Sequence, residues 1–194
     1  MTDLTIYLGN KNYSSWSLRP WLVLKHSPSG KVPALKHGAA TVWDSLAICE
    51  YLAESFPTFR LWPSDHEARA IARAVSAEMH SGFAALRAHL PMNVRSSFPN
   101  RGVTPEVQAE INRVTAIWRD CRKRFGAAPG EFLFGHFTIA DAMYAPVATR
   151  FRTYKTALDR EAQSYCEAIM GLPAMQEWVA AARNEPMVVE AYEF

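Results

Sequence analysis

Cysteine is scarce in this chain. Cys49, Cys121 and Cys166 are odd in number and far apart among 194 residues. That excludes a disulfide framework and implies reduced thiols in a cytosol-like compartment. The three cysteines show no metal-ligand spacing, and none of the six histidines has another four residues away, so no zinc or iron site is expected. Long apolar runs are missing too, and no segment reaches membrane-spanning length. The N-terminus lacks the charged, apolar and small-residue order of a signal peptide, which makes a cytoplasmic location the expectation. Charge of neither sign dominates, since 21 basic and 19 acidic residues leave a formal net charge of +2. Such a balance argues against nucleic acid or an anionic membrane surface as partner. The basic run Arg119-Asp120-Cys121-Arg122-Lys123-Arg124 reads as the solvated end of a helix. No internal repeat is present.

What the chain does have is a core. Hydrophobic residues make up 49% and charged residues 21% of it, as in one or two soluble domains. The stretch that organises the rest is Asn12-Tyr13-Ser14-Ser15-Trp16-Ser17-Leu18-Arg19-Pro20-Trp21. Ahead of it, Leu4-Thr5-Ile6-Tyr7-Leu8 alternates and β-branches like a buried strand. Behind it, Pro20 to Lys25 reads as helix. Proline is tolerated only near a helix start, so Pro20 pins that start to about Ser14–Ser17. Hydroxyls then sit where unpaired backbone N–H groups point outward and the helix dipole is positive, a mouth that stabilises a phosphate, carboxylate or thiolate. One helix needs one cap; the surplus serines favour a ligand.

Ser27-Pro28-Ser29-Gly30 is a loop, and Lys31-Val32-Pro33-Ala34-Leu35-Lys36 a short strand with proline near its start. His37 to Ala40 turns a hairpin into the return strand Thr41-Val42-Trp43. Asp44-Ser45 opens a helix to about Ser55, and either residue caps it. Residues 57–66, with Pro57 and Pro63, read as a linker held down by Leu61 and Trp62. From Glu67 an apolar stripe through Ala72, Val75, Met79, Phe83 and Leu86 predicts one helix that breaks near Leu90-Pro91. Further helices are predicted from about Thr104-Pro105 to Phe125, from Thr138 with Pro146 kinking it, over 158–170 and over 173–183. Thr138-Ile139-Ala140-Asp141 is a capping box and is assigned to structure.

Four of these elements together resemble the cytosolic glutathione S-transferases: the serine-rich turn after the first strand, Lys31-Val32-Pro33, Asp44-Ser45-Leu46-Ala47-Ile48, and Thr138-Ile139-Ala140-Asp141. The string Ser14-Ser15-Trp16-Ser17-Leu18-Arg19 looks most like the zeta class, which includes maleylacetoacetate isomerases. That class carries a cysteine where this chain has Trp16. The resemblance implies an α/β thioredoxin-like domain over residues 1–56, then an all-helical domain over 67–194, and a homodimer. It implies glutathione as co-substrate and no metal. Val32 would pair strand-fashion with the cysteinyl part of glutathione, with Pro33 cis; Ser45 would take the γ-glutamyl carboxylate and Asp44 its ammonium; Lys31 would face the glycyl carboxylate.

The catalytic expectation follows from acid–base arithmetic. A thiol of ordinary pKa, about 8.5, is mostly protonated near neutrality, and only the thiolate attacks. Lowering it by about two units takes roughly 2.7 kcal/mol of preferential stabilisation. A hydroxyl donor and a helix N-terminus together supply that. Ser14 aligns with the family's active serine and is the first choice as donor; Ser15 is the second, and Tyr13 the alternative. Second-substrate candidates are Trp16 from the first domain and Met79, Phe83, Met92 and Asn93 from the helical one. Arg150 and Arg152 are candidates for an anionic substrate.

Between Leu24 and Ser27 the family's second strand and second helix have no counterpart. A parallel neighbour needs a crossover of about a dozen residues or more, and residues 1–56 offer only one. The expectation is a segment missing near 25–27. The leading function is a transferase that adds glutathione to a small electrophile. A glutathione-dependent cis–trans isomerase and a non-catalytic interaction protein are the rivals.

Overall fold

The structure, a computed structural model, describes residues 4–6, 9–24, 33–126 and 130–193. A thioredoxin-like α/β domain comes first and an all-helical bundle follows. The first domain contains β1 (Leu4–Ile6), α1 (Ser15–Leu24), β2 (Ala34–His37), β3 (Ala40–Trp43) and α2 (Ser45–Ser55). Among the described residues its three strands lie side by side in the order β1-β2-β3, both pairs antiparallel, with Ile6 opposite Leu35 and Leu35 opposite Val42. Gly38 and Ala39 make the tight link between β2 and β3. Gly38 sits at φ 58°, in the first central position, where hairpin turns that match the strand twist require positive φ. Leu35, Ile48, Cys49 and Leu52 are buried between this sheet and its helices.

The segment 57–65 is docked rather than loose. Trp62 is buried and its Nε1 donates to Glu50 Oε2 on α2 at 2.9 Å, while the Leu61 carbonyl accepts from Ile139 N at 2.9 Å. Among the described residues six α-helices follow: α3 (His66–Ser81), α4 (Ala84–His89), α5 (Pro105–Phe125), α6 (Ile139–Tyr154), α7 (Arg160–Gly171) and α8 (Pro173–Arg183). All residues of α6 except Arg152 are buried. A helix apolar on every side belongs in the centre of a bundle, and α6 packs against α1, α3 and α7. The Thr138–Asp141 capping box starts it. Asp141 is fully buried and accepts from Leu133 N, Thr138 N, Thr138 Oγ and Tyr165 Oη. Burial lifts its carboxyl to about 6, against the pull of those four bonds.

The single helix expected from Glu67 to Leu90 is two helices. Gly82 and Phe83 break it, Phe83 taking a left-handed φ of 59°. Arg87 explains why the break is stable. Its guanidinium turns back to donate to the carbonyls of Met79 and His80, two of the acceptors a helix C-terminus leaves unpaired.

Candidate active site

Ser14 stands immediately before α1 and caps it. Its Oγ accepts from Ser17 N at 3.2 Å, the geometry of an N-cap serine. The same hydroxyl donates to Ser17 Oγ at 2.9 Å, and Ser17 Oγ accepts from Gly9 N at 3.0 Å. Tyr13 is spoken for as well: its hydroxyl donates to Glu193 Oε1 at 2.5 Å and accepts from Arg95 Nη2 at 2.9 Å. Ser15 opens the first turn of α1, is 8% exposed, and has no hydrogen-bond partner for its hydroxyl among the described residues. The family resemblance puts Ser14 ahead of Ser15; in the structure the Ser14 hydroxyl is engaged in the cap and that of Ser15 has no partner among the described residues.

A second helix start packs beside the first. Asp44 caps α2, its Oδ1 accepting from Leu46 N at 2.9 Å and Ala47 N at 3.2 Å. Its other oxygen, Oδ2, lies 3.1 Å from Nε2 of His80, which reaches over from the helical domain. Asp44 holds φ 75° and ψ 138°, a conformation costly for any residue with a side chain and concentrated at functional sites. Ser45, the first residue of α2, is fully buried and its Oγ has no hydrogen-bond partner. A buried hydroxyl without a partner is uncommon, because leaving it so costs free energy.

Trp16 joins the two domains. Its indole, 38% exposed, has the Arg19 guanidinium 4.5 Å and the Arg87 guanidinium 4.9 Å from the ring centroid, and His80 meets it edge-on at 5.3 Å. Arg19 is buried with Nε on the Met143 carbonyl at 3.2 Å and Nη1 unpartnered. Arg150 is also buried, donating to the Leu90 carbonyl at 2.7 Å and the Pro146 carbonyl at 3.0 Å. None of these three arginines has a carboxylate within ion-pair distance among the described residues. Burial, with Arg87 and Arg150 nearby, brings Arg19 down to about 9; burial and Arg87 bring Arg150 to about 10. The positive field behind the first turn of α1 therefore exceeds that of a helix dipole alone.

The expected wall of a second-substrate site is corrected by burial. Met79, Met92 and Asn93 are at most 1% exposed and Phe83 is 7% exposed. Met79 on α3 and Phe83 at the break are turned inward, Met92 and Asn93 are buried in the segment after α4, and Asn93 is occupied with Asn12, Tyr192 and Ser96. Arg150, a candidate for an anionic substrate, is likewise directed to backbone carbonyls, and Arg152 is exposed on the far side of α6. Of the proposed glutathione residues, Pro33 is half-buried and leads into β2, whereas Lys31 and Val32 lie outside the described residues, as does the Val32–Pro33 bond. His80 and Arg87 escaped the sequence reading because neither sits in a motif. Among the described residues no cluster of three His, Cys, Asp or Glu side chains is placed to hold a metal ion, and no helix is long and apolar enough to cross a membrane.

Two capped helix starts on a thioredoxin-like domain, backed by a helical bundle, are the architecture of a glutathione transferase. Family models agree: residues 6–55 match the glutathione S-transferase N-terminal domain and residues 68–181 the glutathione S-transferase C-terminal domain. The chain belongs to the glutathione S-transferase family. It is 32% identical over 133 residues to a maleylacetoacetate isomerase of Rattus norvegicus, covering 68% of this chain and 59% of that protein. It is 28% identical over 159 residues to glutathione S-transferase L1 of Arabidopsis thaliana, covering 82% of this chain and 59% of that protein. The chain thus spans about three fifths of the length of these curated relatives. Among solved structures it resembles glutathione transferase Omega 2S of Trametes versicolor, with TM-score 0.72, 16% identity and 100% of both chains covered. It also resembles a Burkholderia glutathione transferase homologue with bound glutathione, with TM-score 0.68, 24% identity, and 95% of this chain and 99% of that one covered.

Proposed function

We propose that this chain is a transferase that binds glutathione across the starts of α1 and α2, and that the Ser15 hydroxyl holds its sulfur as the thiolate for attack on a small electrophile. The observation that carries the reading is the uncommitted Ser15 hydroxyl at a helix N-terminus, beside a Ser14 already spent on the cap. A charge-assisted hydrogen bond and the dipole act on the anion and not on the neutral thiol, so both favour ionisation. Arg19 adds to that field from one turn further along α1. Ser45 Oγ, buried and unpartnered, fits the γ-glutamyl carboxylate, together with the Ser45 backbone N–H. Asp44 Oδ2, now paired with His80, faces the ammonium. Lys31 and Val32 complete the proposed tripeptide site.

A second reading, a cis–trans isomerase that uses glutathione catalytically, is favoured by the similarity to the maleylacetoacetate isomerase. Trp16 at the position of that class's cysteine weighs against it. Product analysis separates addition from isomerisation. The reading carries with it a cytoplasmic homodimer, domains at 1–56 and 67–194 joined by 57–66, and a strand–helix pair missing from the sequence near 25–27; β1, paired among the described residues with β2 alone, supports the last. An intact mass near 21.8 kDa would dismiss the missing pair. Calorimetry with glutathione, followed by turnover against halogenated, epoxide and enone electrophiles, tests the function. Absence of glutathione binding overturns it and returns the chain to the non-catalytic reading.

A further inference from the structure

The loop that delivers the serine turn, residues 10–13, is tied down by the far end of the chain. Asn10 Nδ2 donates to the Met187 carbonyl at 3.1 Å, and Lys11 N to Glu185 Oε1 at 3.0 Å. Asn12, fully buried, donates to Asn93 Oδ1 at 2.9 Å and accepts from Arg95 N at 2.9 Å. On the outer side of this loop three hydrogen bonds converge on one carboxylate, and a fourth joins two of its donors. Glu193 Oε1 accepts from Tyr13 Oη at 2.5 Å and Arg95 Nη2 at 3.1 Å; Oε2 accepts from Ser96 Oγ at 3.1 Å; and Arg95 Nη2 also reaches Tyr13 Oη at 2.9 Å.

Two features separate this cluster from ordinary surface pairing. The donors come from two segments, residue 13 and residues 95–96, that are already joined to each other through Asn12 and Asn93, so the cradle exists without the group it holds. The segment that supplies the carboxylate buries little apolar surface. Met187 is 57%, Val188 54% and Tyr192 39% exposed, and a segment burying so little apolar surface opens at low cost. Polar ties hold it: the Glu193 carboxylate takes three donors, and Glu185, the Met187 carbonyl and the Tyr192 carbonyl take the others.

We propose that Tyr13, Arg95 and Ser96 form a carboxylate receptor next to the serine turn, filled by the chain's own Glu193, and that the filled receptor keeps Ser14 and Ser15 in register. Glu193 and Arg95 are then positioning residues: they touch Tyr13, and Tyr13 is covalently followed by Ser14. The effect on turnover rests on the proposed transferase function, but the receptor itself does not.

The test is hydrogen exchange at the backbone amides of residues 10–14 in the whole chain, which needs no glutathione. In Glu193→Ala these amides are expected to exchange about tenfold faster. Sodium acetate is expected to restore protection by occupying the vacated receptor, whereas sodium chloride at equal ionic strength is not. Glu193→Asp keeps protection, and Arg95→Ala combined with Glu193→Ala is deaf to acetate. Should Arg95→Ala unfold the chain, Ser96→Ala with Glu193→Ala, expected to show a weakened response to acetate, decides instead. Where glutathione turnover is measurable, Glu193→Ala lowers kcat more than it raises KM, and acetate restores kcat. Unchanged exchange in Glu193→Ala, or faster exchange that acetate fails to reverse or chloride reverses equally, overturns the proposal. A chain that failed to bind glutathione would leave the exchange result standing.

Discussion

Exchanging Ser14 and Ser15 for alanine one at a time should split two properties that the sequence leaves joined. In Ser15→Ala the thiolate of bound glutathione loses its hydroxyl donor. A hydrogen bond to a charged group is worth about 1.5–3 kcal/mol, and each pKa unit corresponds to about 1.4 kcal/mol. The bound thiol should therefore titrate about one to two units higher, and turnover near neutral pH should fall about 10- to 100-fold, with glutathione affinity little changed. The dipole of α1 and the field of Arg19 remain, which is why ionisation is reduced and not abolished. In Ser14→Ala the helix loses the cap that Ser17 N now uses, costing about 1 kcal/mol. For a chain of this size that lowers Tm by about 2–4 °C. The assay is the ultraviolet absorbance of the glutathione thiolate followed against pH in each variant, with thermal unfolding alongside. If the thiol titrates normally in Ser15→Ala and is raised in Ser14→Ala, the assignment of cap and donor is refuted.

Three further outcomes follow from the same geometry. Asp141→Ala strips four buried donors of their acceptor and should cost about 3–5 kcal/mol, read as a fall in Tm on the order of 10 °C; a shift within error would mean the capping box is dispensable. Burial raises all three thiols, Cys121 and Cys166 each to about 12 and Cys49 further, so a disulfide reagent should label the native chain far more slowly than the unfolded one, and rapid labelling of Cys49 in the native state would contradict the packing. Burial alone would raise the Glu193 carboxyl, but the bonds from Tyr13, Arg95 and Ser96 outweigh it and hold it below its ordinary 4.5. A depressed carboxylate lends stability that is complete above its unfolded pKa and fades as pH falls through the folded value, so protection of residues 10–14 should be level above about pH 4.5 and decline below it, an acid dependence that Glu193→Ala lacks.

Features decided within a few residues were legible in the sequence. The starts of α1, α2, α5 and α6 each follow a side chain that caps its own neighbours, Ser14, Asp44, Thr104 and Thr138, and capping needs no tertiary partner. The hairpin of β2 and β3 is equally local. What escaped was whatever is decided at a distance. The apolar spacing runs unbroken from Val75 to Leu86, and nothing nearby announces that Arg87 will turn back to close α3. The same spacing made Met79 and Phe83 candidates for a substrate wall, because periodicity marks a buried face without saying what buries it; here it is the bundle itself. The ties from Asn10, Lys11 and Tyr13 to Met187, Glu185 and Glu193 span 177, 174 and 180 residues, and no pattern in the intervening chain joins them.

The long-range ties also bear on what the local pattern left ambiguous at the serine turn. Successive residues are turned by about 100° around a helix axis, so if Ser14 folds inward to cap Ser17 N, Ser15 must face elsewhere. That alone leaves two hydroxyls in competition, because Tyr13 lies beside the same turn. Glu193 and Arg95 take the Tyr13 hydroxyl, and Gly9 N holds the Ser17 oxygen that Ser14 also uses. The Tyr13 proton goes to Glu193 and the Ser14 proton to Ser17 Oγ, while the Ser15 hydroxyl keeps no partner among the described residues. A helix start with one cap and one spare donor is the least machinery that both folds and favours a bound anion over its conjugate acid. On the proposed assignment the serines of this turn are not redundant, and their roles depend on the Glu193 segment being in place.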